Sequence, residues 1–349
     1  MRALIFERPG QIHVGELADP QPGPGEAVLA VRAASVCASD LRVYRGEKYA
    51  APGVVPGHEF AGEIVALGEG VDTVALGDQV AVYPIIACGG CDFCRRGLRN
   101  RCTARQTLGY NANGGLAEQV LLPAALVSQG HAVRLAAGAS FERAALTEPT
   151  ACVLNSLESC RFRAGASVAV LGAGPMGLLH VVLARALGAG AIVVAEPVEL
   201  RREAALAAGA SVVCSGDQDE VQAVVAEATG GEGCDVVIVS VGLDGLTETA
   251  LTVAARQSSV NLFAGFPPES SAVIDVNDLH YREVSLTGTQ NATPDQFRRT
   301  AALLPTLDAV ETIVSHRFAL SEADRAYSSR QDPAVLKTAV LPDRAGIGR

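Results

Sequence analysis

Ser167–Gly177 reads SVAVLGAGPMG, and this stretch decides the fold. The short apolar run Ser167–Leu171 has the character of a buried strand. It passes into Gly172-Ala173-Gly174-Pro175-Met176-Gly177 and then into an apolar helix, Leu178–Leu187. In that strand–turn–helix setting a G-x-G-x-x-G array has a mechanism. The first glycine makes the turn, the second lets the backbone approach a pyrophosphate, and the third lets helix pack on strand. Outside the setting the same array would carry little weight. A following strand, Ala191–Ala195, ends in Glu196, nineteen residues past Gly177, close to where an acid hydrogen-bonds the adenosine ribose. Gly172, Gly174, Pro175, Met176, Gly177 and Glu196 are therefore candidate dinucleotide-binding residues. Glu196 favours NAD over NADP, because a carboxylate repels a 2′-phosphate. Arg201 and Arg202 pull the other way: they lie either on the next helix or within reach of a 2′-phosphate, and Arg201 joins the candidates.

The α/β pattern continues. Strands are predicted over 211–214, 235–241, 259–263 and 284–289, with helices over 219–229 and 246–255. Six strands suit a complete doubly wound parallel sheet. Val241 and Gly265 fall at strand ends, where such sheets line their cofactor cleft. From Asn291 the chain leaves this sheet. A last strand, Leu336–Leu341, is expected to join the first domain, and 343–349 reads as a frayed tail.

Upstream of about residue 150 the pattern is β-rich. Arg2–Phe6 and Ala27–Ala33 read as strands, separated by the loop Pro20–Gly25. Pro56–Gly62 places His58 and Glu59 side by side between glycines, with Cys37 upstream and Glu148 far downstream. Thiolate, imidazole and carboxylate are the ligand types zinc takes. Each alone has a plain structural reading: Cys37 as a small buried hydrophobe, His58-Glu59 as a surface turn. Ser39 would place a hydroxyl near any metal held by Cys37. Asp40 reads either as a helix N-cap or as the carboxylate behind a ligand histidine. Glu148 is an acid in an apolar setting and needs a partner.

The strongest local motif is Cys88-x2-Cys91-x2-Cys94-x7-Cys102. Four thiolates so spaced fit a closed, tetrahedral structural zinc site. Iron–sulfur spacings differ, and four free thiols on one short lobe is a poor alternative.

Composition narrows the class. The chain has 349 residues, 49% of them apolar, and carries a formal charge of −10. An acidic, unpatterned surface argues against nucleic acid and against an anionic membrane. The N-terminus has no signal-peptide pattern, and the apolar stretch 168–195 is broken by glycines, a proline, His180 and Arg185. A cytoplasmic location is expected, with the nine cysteines reduced. His180, His280 and His316 occur singly and read as structural or surface groups.

Taken in order, Cys37-x-Ser39-Asp40, the G-H-E-x-x-G-x5-G signature at 57–68, the four-cysteine lobe, Glu148 and Gly172–Gly177 resemble the zinc-containing medium-chain alcohol dehydrogenases over essentially the whole chain. The resemblance implies a GroES-like catalytic domain (1–151, with the zinc lobe at 88–102), an inserted Rossmann domain (152–289) and a return to the catalytic domain (290–349). It implies two zinc ions. One is structural, on the four cysteines. The other is catalytic, on Cys37, His58 and Glu59, with Glu148 a ligand or one water away. A glutamate at 148 resembles the polyol branch: sorbitol, iditol, threonine and cyclitol dehydrogenases.

The implied reaction is hydride transfer between a secondary alcohol of a polyol, sugar or cyclitol and NAD(P), with Ser39 passing the proton outward. A ketosugar or aminocyclitol dehydrogenase of the 2-deoxy-scyllo-inosamine type shares every motif. A non-catalytic relative is the alternative of another class. The resemblance also implies a homodimer or homotetramer. Two departures stand out. Arg42 replaces the histidine that ends the proton relay in many relatives, and the Arg-Tyr pair of animal sorbitol dehydrogenases is missing after the last Rossmann strand. Tyr44, Arg45, Lys48, Phe93 and Tyr110 are candidate pocket residues.

Overall fold

A computed structural model describes residues 1–343; the remainder of the expected tail, 344–349, lies outside the described residues. The chain divides into two compact units. One comprises Met1–Ala151, Ala292–Thr306 and the segment from Val314, and the other comprises Cys152–Asn291 and Leu307–Ile313.

The first unit is built on a seven-stranded sheet in which Ala27–Val36 is central. This strand pairs antiparallel with Glu59–Leu67 on one side and with Lys337–Leu341 on the other. The register fixes what comes together at one end. Ser35 lies opposite Glu59, and Val36 lies opposite Thr338. Cys37, His58, Glu59 and Lys337 therefore emerge at the same edge of three neighbouring strands, although their sequence positions span most of the chain. Leu4, Leu29, Phe60, Ile64, Leu116 and Leu122 fill the core beneath them.

The final strand begins at Lys337 and joins this sheet as expected from the sequence. Asp343 does not fray: its carboxylate lies 2.5 Å from the Arg2 guanidinium and accepts the Ser321 hydroxyl at 2.8 Å.

The second unit is a six-stranded parallel sheet. Its spatial order is Val212–Cys214, Ile192–Ala195, Val168–Leu171, Cys234–Val239, Ala254–Leu262, Ser285–Gly288. All pairings are parallel, and this 3-2-1-4-5-6 order is that of a dinucleotide-binding sheet. Continuous apolar runs form the central strands because helices cover such sheets on both faces. The largest departure from the sequence reading lies at one helix–strand junction; elsewhere in this sheet the strand ends move by a residue or two. The helix expected over 246–255 ends at Thr252, and the strand expected from 259 begins at Ala254. Val253-Ala254-Ala255 is an apolar run that either element could bury. Gln257, with φ +59°, marks the irregular register that lets the longer strand pair.

Candidate metal centre and dinucleotide site

Cys37 directly follows the central strand and is the N-cap of the helix Ala38–Tyr44. The turn before Glu59 is held by the loop around Gly114: Gly115 N–H donates to the Gly57 carbonyl at 2.8 Å, and Leu116 N–H donates to the Pro56 carbonyl at 3.1 Å. Gly57 has φ +91°, and a Cβ on Gly114 would stand 2.0 Å from the Gly57 carbonyl oxygen. Only glycines permit this approach. The outcome is that ligand atoms of Cys37, His58 and Glu59 lie within 4.8 Å of one another.

Asp40 is the carboxylate behind His58. It is not the helix N-cap, which is Cys37, but the third helical residue, whose side chain reaches back to the Cys37 backbone in a capping box. One carboxylate oxygen accepts the Cys37 backbone N–H at 2.9 Å, and the other lies 3.2 Å from His58 Nδ1. Tyr110 OH is also 3.2 Å from Nδ1. With Nδ1 engaged, Nε2 is the nitrogen left for a metal. Burial disfavours a charged imidazole, but the Asp40 carboxylate outweighs it and raises the His58 pKa well above the ordinary value. Metal binding therefore has to displace a proton here.

Glu59 is completely buried, and its neighbours were not foreseen. Lys337 Nζ lies 2.7 Å and 2.6 Å from its two oxygens, and the Ser35 hydroxyl donates to one of them. Burial penalises the Lys337 ammonium, yet Glu59 raises its pKa. Ser39 Oγ lies 2.7 Å from Tyr110 OH and 3.5 Å from His58 Nε2.

Glu148 sits in the first turn of Thr147–Ser159 and is not among the three clustered groups. Its charge still bears on Lys48 and Tyr110. Arg42 faces the surface, 3.4 Å from Glu47. Of the suggested pocket residues, Tyr110 and Lys48 stand at the site, Tyr44 packs edge-on against Tyr327, and Phe93 is exposed on the cysteine lobe.

The sulfurs of Cys88, Cys91, Cys94 and Cys102 form a second cluster with ligand atoms within 4.8 Å. Backbone N–H groups of Thr103 and Cys94 pull the Cys91 thiol down to about 6, while burial pushes Cys94 up to about 12. Arg99 anchors the lobe by donating to His131 Nε2 at 3.2 Å. Both donor sets fit zinc: four thiolates in one, and thiolate, imidazole and carboxylate in the other.

In the second unit, Pro175 begins the helix Pro175–Ala186 directly after Gly174. Nothing lies within 4 Å of where a Gly174 side chain would start, whereas a Cβ on Gly177 would stand 1.9 Å from the Gly172 carbonyl oxygen. The turn is thus open where a pyrophosphate approaches and tight where helix meets strand. Glu196 is 4% exposed; its oxygens accept Ala173 N–H at 2.7 Å and Val198 N–H at 3.0 Å. Arg202 is fixed beside it, donating to the carbonyls of Glu196 and Pro197 at 2.9 and 2.8 Å. Val241 and Ser240 lie against Gly172, and Gly242 lies against Gly265.

Family models match both parts of the chain: an alcohol dehydrogenase GroES-like domain over residues 23–131 and a zinc-binding dehydrogenase over 175–306. The sorbitol dehydrogenase of Halalkalibacterium halodurans is 30% identical over 98% of this chain and 99% of its own. The chain belongs to the zinc-binding alcohol dehydrogenases. The L-threonine 3-dehydrogenase of Pyrococcus horikoshii is 34% identical over 80% of this chain and 79% of its own. A zinc-binding dehydrogenase from Sinorhizobium meliloti 1021, solved bound to NADP, superposes with a TM-score of 0.90 at 30% identity, covering 98% of this chain and 99% of that one. As a member of this family, the protein is a zinc-dependent NAD(P) oxidoreductase acting on alcohols. Among the described residues, no helix is long and apolar enough to cross a membrane.

Proposed function

We propose that the protein interconverts a secondary alcohol of a polyol-like substrate and its ketone, with Cys37, His58 and Glu59 as the catalytic-zinc residues. The observation that carries this reading is the convergence of those three groups beside the Ser39–Tyr110 hydroxyl pair. When bound, zinc lowers the pKa of the alcohol as a Lewis acid and the nicotinamide accepts hydride. The chain's own part is orientation and proton handling. Asp40 holds the His58 ring through Nδ1, Lys337 and Ser35 hold Glu59, and Ser39 takes the alcohol proton. Tyr110 extends the path from Ser39 where Arg42 offers no base. Cys88, Cys91, Cys94 and Cys102 hold the structural zinc.

Gly172, Gly174, Pro175, Met176, Gly177, Val241 and Gly265 carry the dinucleotide. Glu196 supports NAD as the preferred form, because it keeps a buried carboxylate where a 2′-phosphate would lie and Arg202 is committed to backbone carbonyls. The polyol class follows from Glu148 and from similarity to the sorbitol dehydrogenase. Self-association through the edge strand Ser285–Gly288 is supported by the exposed Val273, Val276 and Tyr281 nearby in sequence. A cytoplasmic setting keeps four zinc thiolates reduced.

The experiment is a spectrophotometric screen of polyols, cyclitols and aminocyclitols with NAD and NADP in parallel. Turnover of secondary alcohols with NAD ahead of NADP is expected. Turnover of primary alcohols alone, or a preference for NADP, overturns the corresponding part of the reading.

A further inference from the structure

Lys48 places a cation next to the alcohol site with no carboxylate in direct contact with it. Its Nζ lies 3.7 Å from the centroid of the Tyr110 ring, whose hydroxyl lies 2.7 Å from Ser39 Oγ. The ammonium is thus one aromatic ring away from the hydroxyl that receives the substrate proton. A cation on a ring face is held by the ring quadrupole, which orients it without discharging it. Among the described residues Lys48 forms no ion pair and no hydrogen bond. Cys37, Asp40 and Glu148 act on it only through longer-range charge, and Arg105 adds a second positive charge within electrostatic reach. Cys37 and Asp40 already serve the metal cluster and His58. Although the residue as a whole is exposed, desolvation around the ammonium is the leading influence on it and lowers its pKa.

We propose that Lys48 recognises an anionic substituent, a carboxylate or a phosphate, carried on the alcohol substrate a few bonds from the reacting carbon. This rests on the polyol reading above and narrows it from neutral polyols to polyol acids or polyol phosphates. The physical basis is that an ammonium orientated over the Tyr110 ring, partly desolvated and with no direct counter-ion, gains from a charged acceptor through a charge-assisted hydrogen bond. The same arrangement disfavours a substrate bearing an ammonium at that position.

The test is equilibrium binding by calorimetry to the zinc-loaded protein with saturating NADH. Sorbitol, gluconate and sorbitol 6-phosphate are the probes, and wild type is compared with Lys48→Met and Lys48→Arg. Wild type is expected to bind at least one anionic probe about tenfold more tightly than sorbitol. Lys48→Met should bring that ratio close to one, and Lys48→Arg should retain most of it. The two anionic arms tell carboxylate from phosphate. Equal affinity of all three probes for wild type, or a preference that survives Lys48→Met, overturns the proposal. Turnover is read separately on the same protein preparations, with NAD in place of NADH so that alcohol oxidation has a hydride acceptor. Anion preference without oxidation of any alcohol contradicts the polyol reaction and leaves Lys48's role standing, whereas oxidation of sorbitol without anion preference does the reverse.

Discussion

Lys337 and Glu59, 278 positions apart, form an ion pair at 2.6 Å with side chains 3% and 0% exposed. The pair sits at the edge of the sheet from which Cys37 and His58 also project. A carboxylate so completely buried would be untenable without it. Replacing Lys337 by Met leaves that carboxylate uncompensated, and breaking a buried pair from one side costs about 3–5 kcal/mol. Denaturant unfolding should show a loss of that size for Lys337→Met. Much of it should return in the Lys337→Met, Glu59→Gln double variant. An unchanged midpoint in the single variant contradicts the assignment.

Ser39 lies between the Tyr110 phenol and His58. Removing its hydroxyl by Ser39→Ala removes the group that takes the substrate proton, an effect of roughly 10²–10⁴ in turnover. Cofactor affinity, followed by NADH fluorescence, should stay nearly constant. Turnover equal to wild type removes Ser39 from the proton path. Tyr110→Phe keeps the ring beneath Lys48 but loses the hydroxyl, so kcat should fall with little change in NADH binding.

Gly177→Ala places a Cβ 1.9 Å from a backbone carbonyl, that of Gly172. Backbone cannot rotate away as a side chain can, so the turn and helix must separate. The variant should lose NADH binding by tenfold or more, as the second-unit turn loses the shape a pyrophosphate needs. Wild-type NADH affinity in this variant is the contrary result.

His131 and His180 supply a pH dependence. Both are fully buried. Desolvation is the leading cause in each and pulls the pKa down to about 4, from an ordinary 6.5. The folded chain therefore refuses protons that the unfolded chain accepts below about pH 6.5, so stability falls as pH drops from there toward 4. His180 donates through Nδ1 to the Met176 carbonyl at 2.7 Å and packs edge-on against Phe263. His180→Phe should flatten the melting temperature across that window relative to wild type. An identical slope in both proteins argues against a neutral His180.

Motifs held within a few residues were legible in the sequence. The four-cysteine lobe, the glycine turn with Glu196 and the Cys37–Asp40 segment all depend on local spacing, which the order of residues displays directly. Asp40 was legible as two alternatives because one short carboxylate can face a backbone N–H and an imidazole at once. Lys337 was not legible as a site residue. It reads as the start of an ordinary strand, and only the register of that strand against Ala27–Val36 carries it to Glu59. Tyr110 was named for the pocket without its partners, since its hydrogen bonds to Ser39 and His58 depend on how the 109–115 loop folds back over Gly57. The helix end at Thr252 was misplaced because an apolar run buries equally well in helix or strand.

The central claim is that a second, catalytic zinc lies at Cys37, His58 and Glu59 and is needed for turnover. Its most direct test is metal analysis of the purified protein alongside absorbance at 340 nm with a secondary polyol and NAD. Limited chelation and zinc readdition then follow on the same sample. The account predicts about two zinc per chain, loss of turnover when the zinc at Cys37, His58 and Glu59 is removed, and recovery when it is restored. About one zinc per chain, confined to the four cysteines and with no NADH formed, would contradict it.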